Sequence, residues 1–337
     1  MKHSKFNQKG FHLLEVSLVI IVIGIIGAVG WYVYNKQKSK TETPQTSTTT
    51  TTTDTETAKT WQGGDYAIKG NYADADIVSL GGGKFRMYYA IQPEVQGHKF
   101  EVFSATSTDG KKWKEDSGER KQFATFPDVI KLPNGKWRMY YQNANAIKSA
   151  ISSDGLNFTD ESGTRISTSG HDVSLGNVAA STTYRQDDGT YVMVYRGDIE
   201  KQYKSGVPNQ STTVLFWATS KDGLTFKKQG IALDSRNDTF EGWMDGPDFV
   251  KWDDDSIKLT FWGYQGVYES TFDGSKFSDA ELTYNAAKAS GQPANGPQNM
   301  YPPDIPGDPT LIQIGDTWFM YYGSTGSKSG IHYFTLK

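Results

Sequence analysis

Residues 76–89 read Asp-Ile-Val-Ser-Leu-Gly-Gly-Gly-Lys-Phe-Arg-Met-Tyr-Tyr, and residues 128–141 repeat the pattern as Asp-Val-Ile-Lys-Leu-Pro-Asn-Gly-Lys-Trp-Arg-Met-Tyr-Tyr. In each copy, two apolar runs flank a short segment that contains Gly or Asn-Gly. Such a segment favours a tight turn, and apolar runs on both sides of it predict a β-hairpin. The chain therefore contains a repeated antiparallel unit.

The same unit recurs three more times toward the C-terminus. The later copies begin near Thr182, Asp248 and Asp308, which gives a period of about 50 to 65 residues. A second turn follows the hairpin in four units, and an aromatic residue follows each of these turns. The four turns are Ser107–Gly110, Ser153–Gly155, Ser220–Gly223 and Phe272–Gly274. Asp-Gly suits a turn with positive φ, and we expect the aromatic residue to cover the edge of its sheet.

Five repeats of antiparallel strands predict an all-β, five-bladed β-propeller over residues 61–337. The fifth unit stops at its third strand, Ile331–Leu336. We expect Trp61–Ile68 to supply the missing outer strand and so to close the ring. Helical periodicity is nearly absent after residue 40, so the strands decide the fold class.

The repeats resemble the five-bladed superfamily of arabinanases, invertases and levansucrases, and glycoside hydrolase family 43 in particular. This resemblance implies a channel lined by the first strand of each blade. It also implies three carboxyl groups: an Asp base in the first blade, an orienting Asp in a middle blade, and a Glu acid in a Glu-Gly-Pro motif. Glycoside hydrolysis needs two carboxyl groups across the scissile bond, one ionised and one protonated.

The chain matches that set of carboxyl groups in part. Asp76, preceded by Asp74, matches the base, and Asp245–Pro247 matches the acid motif with Asp in place of Glu. Ala180 stands where the orienting Asp is expected. Asp128 of the second blade could replace that Asp, and Glu241 or Asp172 could reach in from loops. The candidate catalytic residues are therefore Asp76, Asp245, Asp128 and Glu241.

Aspartates also begin the channel-lining strands of other blades. Asp248 and Asp308 share this pattern with Asp76 and Asp128, and we expect both to line the channel. Two interpretations stay open. The side chains accept backbone N–H groups, since buried polar groups are usually hydrogen-bonded, or carboxylates and water hold a Ca²⁺ ion in the channel. No metal-binding loop motif supports the ion, so we predict no cofactor.

The N-terminus carries a separate signal. The segment Gly10-Phe11-His12-Leu13-Leu14-Glu15 opens an uncharged apolar run of 19 residues, Val16–Tyr34. As a helix this run spans roughly 28 Å, which matches the hydrocarbon core of a bilayer. The segment resembles the prepilin signal of type IV pilins and pseudopilins, in which a Gly usually precedes Phe, and Glu occupies the fifth mature position.

That resemblance implies that a prepilin peptidase removes the leader, residues 1–10, by cutting between Gly10 and Phe11. It implies methylation of the new amine of Phe11. A carboxylate in an apolar helix needs a partner, and the resemblance implies that Glu15 pairs with that amine on a neighbouring pilin-like subunit. The alternative is a plain signal anchor, with Glu15 at the water interface.

The helix is predicted over residues 11–39, with residues 11–35 in the membrane, the N-terminus in the cytoplasm and the propeller outside the cell. Residues 40–60 are a Thr-rich linker that includes the unbroken run Thr48–Thr53. The linker has almost no apolar surface to bury, so we expect it to be disordered. In major pilins the first helix continues into the globular head. The early stop in this chain favours a minor pilin-like subunit or a simple tether.

The composition excludes several classes of site and partner. The chain has no cysteine, which excludes disulfides and thiolate metal sites. Its net charge of -3 does not favour nucleic acid as a partner. Three functions stay open. We favour a cell-surface module that binds carbohydrate through a degenerate glycosidase-like site, and the alternatives are an active, inverting glycoside hydrolase and a structural minor pilin.

Overall fold

The computed structural model describes residues 60–92, 95–201, 203, 212–286, 306–324 and 329–336. The predicted leader, transmembrane helix and nearly all of the linker lie outside the described residues, and so do Gly10, Phe11 and Glu15. Within the described ranges, no helix is long and apolar enough to cross a membrane.

The described strands form five sheets, and the first strand along the chain, β1 (Trp61–Lys69), belongs to the last sheet. The first blade contains β2 (Tyr72–Gly81), β3 (Lys84–Ile91), β4 (Val102–Ser107) and β5 (Lys114–Glu115). The second contains β6 (Thr125–Lys131), β7 (Trp137–Asn143), β8 (Ala146–Ser152), β9 (Thr159–Asp160) and β10 (Ile166–Ser167). The third contains β11 (Leu175–Arg185), β12 (Tyr191–Ile199), β13 (Thr212–Ser220) and β14 (Lys227–Leu233). The fourth contains β15 (Asp245–Lys251), β16 (Ile257–Gly263), β17 (Gly266–Phe272) and β18 (Glu281–Asn285), and the fifth adds β19 (Gly307–Ile314), β20 (Thr317–Ser324) and β21 (Gly330–Leu336) to β1.

The ring closes because the first strand of the propeller pairs with the last one. Strand β1 pairs antiparallel with β21, from Trp61 opposite Leu336 to Lys69 opposite Gly330. Ile68 is 3% exposed and packs in a core cluster with side chains of the first and fifth blades. The predicted five-bladed β-propeller is therefore confirmed, and so is the role of the Trp61 segment as the outer strand of the fifth blade.

The sequence repeat places equivalent turns and side chains between neighbouring blades. The hydroxyl of Tyr88 in the first blade donates to the carbonyl of Gly155 in the second (2.8 Å), and Tyr140 donates in the same way to Gly223 in the third (2.8 Å). The aromatic residue after the Asp-Gly turn packs edge-on against that tyrosine, as Phe158 does against Tyr88 with ring centroids 5.9 Å apart. These aromatic residues therefore also join a blade to its neighbour.

Candidate functional site

The innermost strand of every blade has a bulge at the same place. The register shifts lie between Ala73 and Asp76, Thr125 and Asp128, Ala179 and Thr182, Asp245 and Asp248, and Gly307 and Thr310. Inside each bulge, one residue has a left-handed backbone, with φ between 44° and 55°: Asp74, Phe126, Ala180, Gly246 and Asp308. Bulges re-aim side chains and are frequent beside functional sites. Here all five left-handed residues lie around the same small space in the channel.

A cavity of about 720 Å³ opens at the bulges. Its volume is within the usual range for small-molecule sites. Apolar and aromatic residues form one part of its lining: Ala73, Phe100, Phe123, Ala124, Phe126, Ala144, Trp243 and Trp262. Polar and charged residues form the rest: Asp74, Gln92, Thr125, Gln142, Asn143, Arg196, Asp245 and Asp308. The cavity therefore offers both ring faces and carboxyl groups to a ligand.

Three carboxyl groups meet in this cavity. Burial raises the pKa of Asp308 well above its usual value, and the carboxylates of Asp245 and Asp74 raise it further. The indole N–H of Trp262 donates to Oδ1 of Asp308 (3.2 Å) and opposes this rise. Burial also raises the pKa of Asp245, although its neighbour Arg196 acts in the opposite direction. The environment thus favours a protonated Asp308 beside the other two carboxyl groups.

Gly246 makes the close approach of these groups feasible. A Cβ at this position would lie 2.4 Å from Oδ1 of Asp308 and 3.0 Å from the Trp262 ring. Its φ of 55° is also unfavourable for residues with a side chain. The Gly of the Asp-Gly-Pro motif therefore leaves the space that Asp308 occupies next to Asp245.

Arg196 is the cation among the described residues that line the cavity. It forms an ion pair with Asp245 through Nη1, and its Nε donates to Asp198 Oδ1 at 2.8 Å. Its guanidinium lies 5.8 Å from the ring centre of Phe126. Burial lowers the pKa of Arg196, but the two carboxylates outweigh this effect and the pKa is raised overall. Arg196 therefore stays charged and fixes the orientation of the Asp245 carboxylate.

A second group of aspartates lies around a narrow space of about 40 Å³. Asp76 Oδ2 accepts the N–H of Val129 in the next blade (2.8 Å), and Asp248 Oδ2 accepts the N–H of Leu311 (3.2 Å). Asp128 lies around the same space, but its Oδ2 is buried without a hydrogen-bond partner among the described residues. Asp76 and Asp248 therefore link their own blades to the next one, which is the first of the two interpretations left open by the sequence.

The third and fifth blades use threonine at the same position. Thr182 Oγ1 accepts the N–H of Phe249 (3.0 Å), and Thr310 donates its hydroxyl to Asp248 (3.0 Å). Thr310, rather than Asp308, is thus the equivalent of Asp76 in the fifth blade. Asp308 corresponds to Asp74, because both residues occupy the bulge two positions earlier.

The structure separates the candidate catalytic residues into two places. Asp245 lies in the large cavity, whereas Asp76 and Asp128 lie around the narrow space with the channel-lining Asp248. Asp308 lines both. Glu241 lies in the loop before β15, half-buried, and is not part of the described lining of either space. Among the described residues, no group of three His, Asp or Glu side chains has the arrangement of a metal site.

Sequence reasoning missed part of the large cavity. It noted Asp74 only as a neighbour of Asp76, and it gave no role to Arg196, Trp243 or Trp262. A signal for Asp74 was present, since Asp74 and Asp308 both stand two residues before a polar residue that begins the apolar run. No sequence pattern indicated Arg196, because its role depends on Asp245, which lies 49 positions away along the chain.

The aspartates around the narrow space make the stability of the propeller depend on pH. Burial, together with the charge of Asp248, raises the pKa of Asp76 to about 8, and burial raises that of Asp248 to about 7. A raised pKa in the folded state means that stability is fully present below pH 4 and is lost as the pH rises toward 8, by at most about 1.4 kcal/mol per pH unit for each group. We expect the melting temperature to fall between pH 5 and pH 8.5.

The variants Asp76→Asn and Asp248→Asn should flatten this fall, because Asn keeps the oxygen acceptor and cannot ionise. Thermal melts at half-unit pH steps measure the effect. Asp273→Asn is the matched control, since Asp273 lies in an exposed turn and its pKa is lowered by hydrogen bonds from Ser275. If both Asn variants keep the pH dependence of the wild-type melting temperature, these two carboxyl groups are not its cause.

The comparisons with known proteins bear on the fold. The sequence matches no protein-family model and no curated protein. The structure is similar to a thermostable family-43 glycoside hydrolase, with 14% identity, a TM-score of 0.56, and coverage of 79% of this chain and 88% of that chain. It is also similar to RS223-Beta-xylosidase (12% identity, TM-score 0.55, 81% and 92% covered). A structure from the GH130 family of mannoside phosphorylases aligns with 15% identity, a TM-score of 0.53, and coverage of 78% and 84%. At these identities the similarity establishes the fold, and at that level it confirms the expected resemblance to family-43-like propellers.

Proposed function

We propose that the propeller binds carbohydrate in the 720 Å³ cavity. The observation that carries this proposal is the joint presence of aromatic faces and carboxyl groups in one cavity. Phe126, Trp243 and Trp262 contribute aromatic surface to the lining, while Asp74 and Asp245 contribute hydrogen-bond acceptors. A sugar ring needs both kinds of contact, because its faces carry C–H groups and its edge carries hydroxyl groups. Some structures with this fold are described as glycosidases, which also supports carbohydrate as the ligand.

The charges of the cavity favour a neutral sugar. Among the described lining residues, Arg196 is paired with two carboxylates, Asp245 and Asp198. Asp74 and Asp308 add further acidic groups. A uronic acid would bring another negative charge near these groups, and the described lining residues offer no unpaired cation to balance it, which is unfavourable in a partly buried site. We therefore expect neutral glycans to bind more tightly than acidic ones.

Hydrolysis is the second candidate, and the environment of Asp308 favours it. A general acid must hold a proton near neutral pH, and two carboxyl groups with different environments divide the acid and base roles. Asp308 would protonate the glycosidic oxygen as the bond to the sugar breaks. Asp74, which is half-buried and accepts the N–H of Phe126 (3.3 Å), would take a proton from the attacking water. Asp245, held by Arg196, would orient the sugar.

A glycan array followed by a release assay tests both candidates with the full-length protein. Binding of neutral glycans supports the proposal, and an empty array contradicts it in favour of the structural pilin. If sugar is released, Asp74→Asn and Asp308→Asn should each lower turnover by 100-fold or more while binding persists, since general acid–base groups contribute about that much. Asp76→Asn distinguishes a base at Asp74 from the base at Asp76 that the family resemblance implies, because this variant should be inactive only if Asp76 is the base. Asp273→Asn is the neutral control.

We also propose that the chain is anchored in the cell membrane by its prepilin-like N-terminus. The motif from Gly10 to Glu15 supports this proposal. Intact-mass measurement of the protein from a host with a prepilin peptidase should show the loss of residues 1–10 and one added methyl group on Phe11. A mature chain that still begins at Met1 in such a host would contradict pilin-like processing and leave a plain signal anchor.

A further inference from the structure

Two phenylalanines at the rim of the cavity are unusual in exposure and in backbone conformation. Phe100 is 43% and Phe123 is 56% exposed, the highest values among the large apolar side chains of the described residues. Both have left-handed backbones, with φ of 57° and 56°. Bulky side chains rarely adopt this conformation, and strained positions of this kind cluster at ligand-binding sites.

Hydrogen bonds hold both backbones in place. The N–H of Phe123 donates to the Lys99 carbonyl (2.9 Å), and the amide that follows it donates to the Phe100 carbonyl (2.8 Å). Asn143 Nδ2 donates to the carbonyl of Phe123 (2.7 Å). On the other side, the N–H of Phe100 donates to Nδ1 of His98 (2.8 Å), and the two rings meet edge-on at 4.6 Å. The two exposed rings are therefore presented on a rigid backbone.

We infer that Phe100 and Phe123 form an aromatic shelf that binds a second sugar ring of a glycan whose first ring occupies the cavity. The shelf is continuous with the cavity, because both residues belong to its lining. Aromatic side chains have few rotatable bonds, so they bind a sugar face at a low cost in conformational entropy. Two exposed rings offer too little surface to bind a protein partner stably, because stable protein–protein interfaces bury more than about 1,000 Å².

This inference rests on the proposed carbohydrate function and narrows it to oligosaccharides. The test uses xylose, mannose and their oligomers of two to four units, because similar folds include a xylosidase and proteins active on mannosidic linkages. Calorimetry on the full-length protein measures the dissociation constants. For the wild type, we expect the affinity to rise when a second unit is added.

The variants Phe100→Asn and Phe123→Asn should remove most of that rise, by about tenfold, and should weaken monosaccharide binding by a smaller factor. Their melting temperatures should be equal to or higher than that of the wild type, because Asn accepts a left-handed backbone more readily than Phe. A structural role for these residues would instead lower the melting temperature. Phe123→Trp should keep the gain in affinity from the second sugar unit. Ile231→Asn is the matched control, because Ile231 is an exposed apolar residue outside the described lining of the cavity.

The outcomes separate the two proposals. If the Asn variants bind oligomers as tightly as the wild type, the shelf is excluded while carbohydrate binding in the cavity stands. If they lose monosaccharide binding and thermal stability together, the two residues are structural and the shelf is also excluded. If the wild type binds neither a monosaccharide nor any oligomer of the series, and the array is empty as well, the carbohydrate function itself fails.

Discussion

Removal of β1 should abolish the cooperative folding of the propeller. A chain that starts at Gly70 loses the whole β1–β21 ladder, from Trp61 to Lys69. It also loses the buried Ile68 and the contact between Tyr66 and His332, whose ring centres lie 4.1 Å apart. About six ladder hydrogen bonds and one buried aliphatic side chain together amount to roughly 5–10 kcal/mol. That is comparable to the total stability of a domain, about 5–15 kcal/mol.

A chain that starts at Thr60 is the matched control, because it lacks the N-terminal region and keeps β1. Urea denaturation of the two truncated proteins measures the difference. The longer chain should unfold in one cooperative transition. The shorter chain should be unfolded, or should aggregate through its exposed β21 edge. Equal stability of the two chains would mean that the fifth blade does not need β1.

Replacement of Arg196 by Met should cost about 3–5 kcal/mol and abolish ligand binding. The side chains of Arg196 and Asp245 are 14% and 7% exposed, so the variant leaves a buried Asp245 and a half-buried Asp198 without their cation. Removal of one partner of a buried ion pair is destabilising to about this extent. The pKa of Asp245 should rise further, so the loss should be smaller at pH 5, where the carboxyl can take up a proton, than at pH 8.

Denaturation of the variant at both pH values measures this effect. Arg196→Met combined with Asp245→Asn should recover part of the stability, because the second change removes one uncompensated charge. Asp198 keeps a hydrogen bond from Asn177 Nδ2 at 3.3 Å in that background. Arg196→Lys is the control that keeps the charge but loses the second hydrogen bond of the guanidinium. A single variant as stable as the wild type at pH 8 would contradict the role of the ion pair.

Much of the fold could be predicted because its information is local and repeated. The hairpins at residues 76–89 and 128–141 each contain their own turn, and the Asp-Gly turns recur with an aromatic residue at the same offset. Closure by Trp61–Ile68 was also predictable, since an incomplete last blade leaves an unpaired edge. The bulges were not predicted. They depend on how five strands converge at one channel, and residues as different as Gly246 and Phe126 occupy them.

The candidate site could be predicted less well. Recurring aspartates pointed to the channel, but their spacing did not tell a side chain that joins two blades from one that faces a ligand. Asp76 and Asp74 are two positions apart on one strand, yet only Asp74 lines the large cavity. The bulge decides this difference, because its left-handed residue re-aims one side chain out of the regular alternation of the strand.

The sequence by itself determined the number of blades, the turns between their strands and the segment that closes the ring, because these follow from alternating apolar residues and from turn chemistry within short windows. The tertiary structure decided which carboxyl groups meet. Asp74, Asp245 and Asp308 come from the first, fourth and fifth blades, and Arg196 comes from the third. Their pKa values and their pairing depend on burial and on distances of a few ångströms between these blades, and such contacts leave no pattern in any local stretch of the chain.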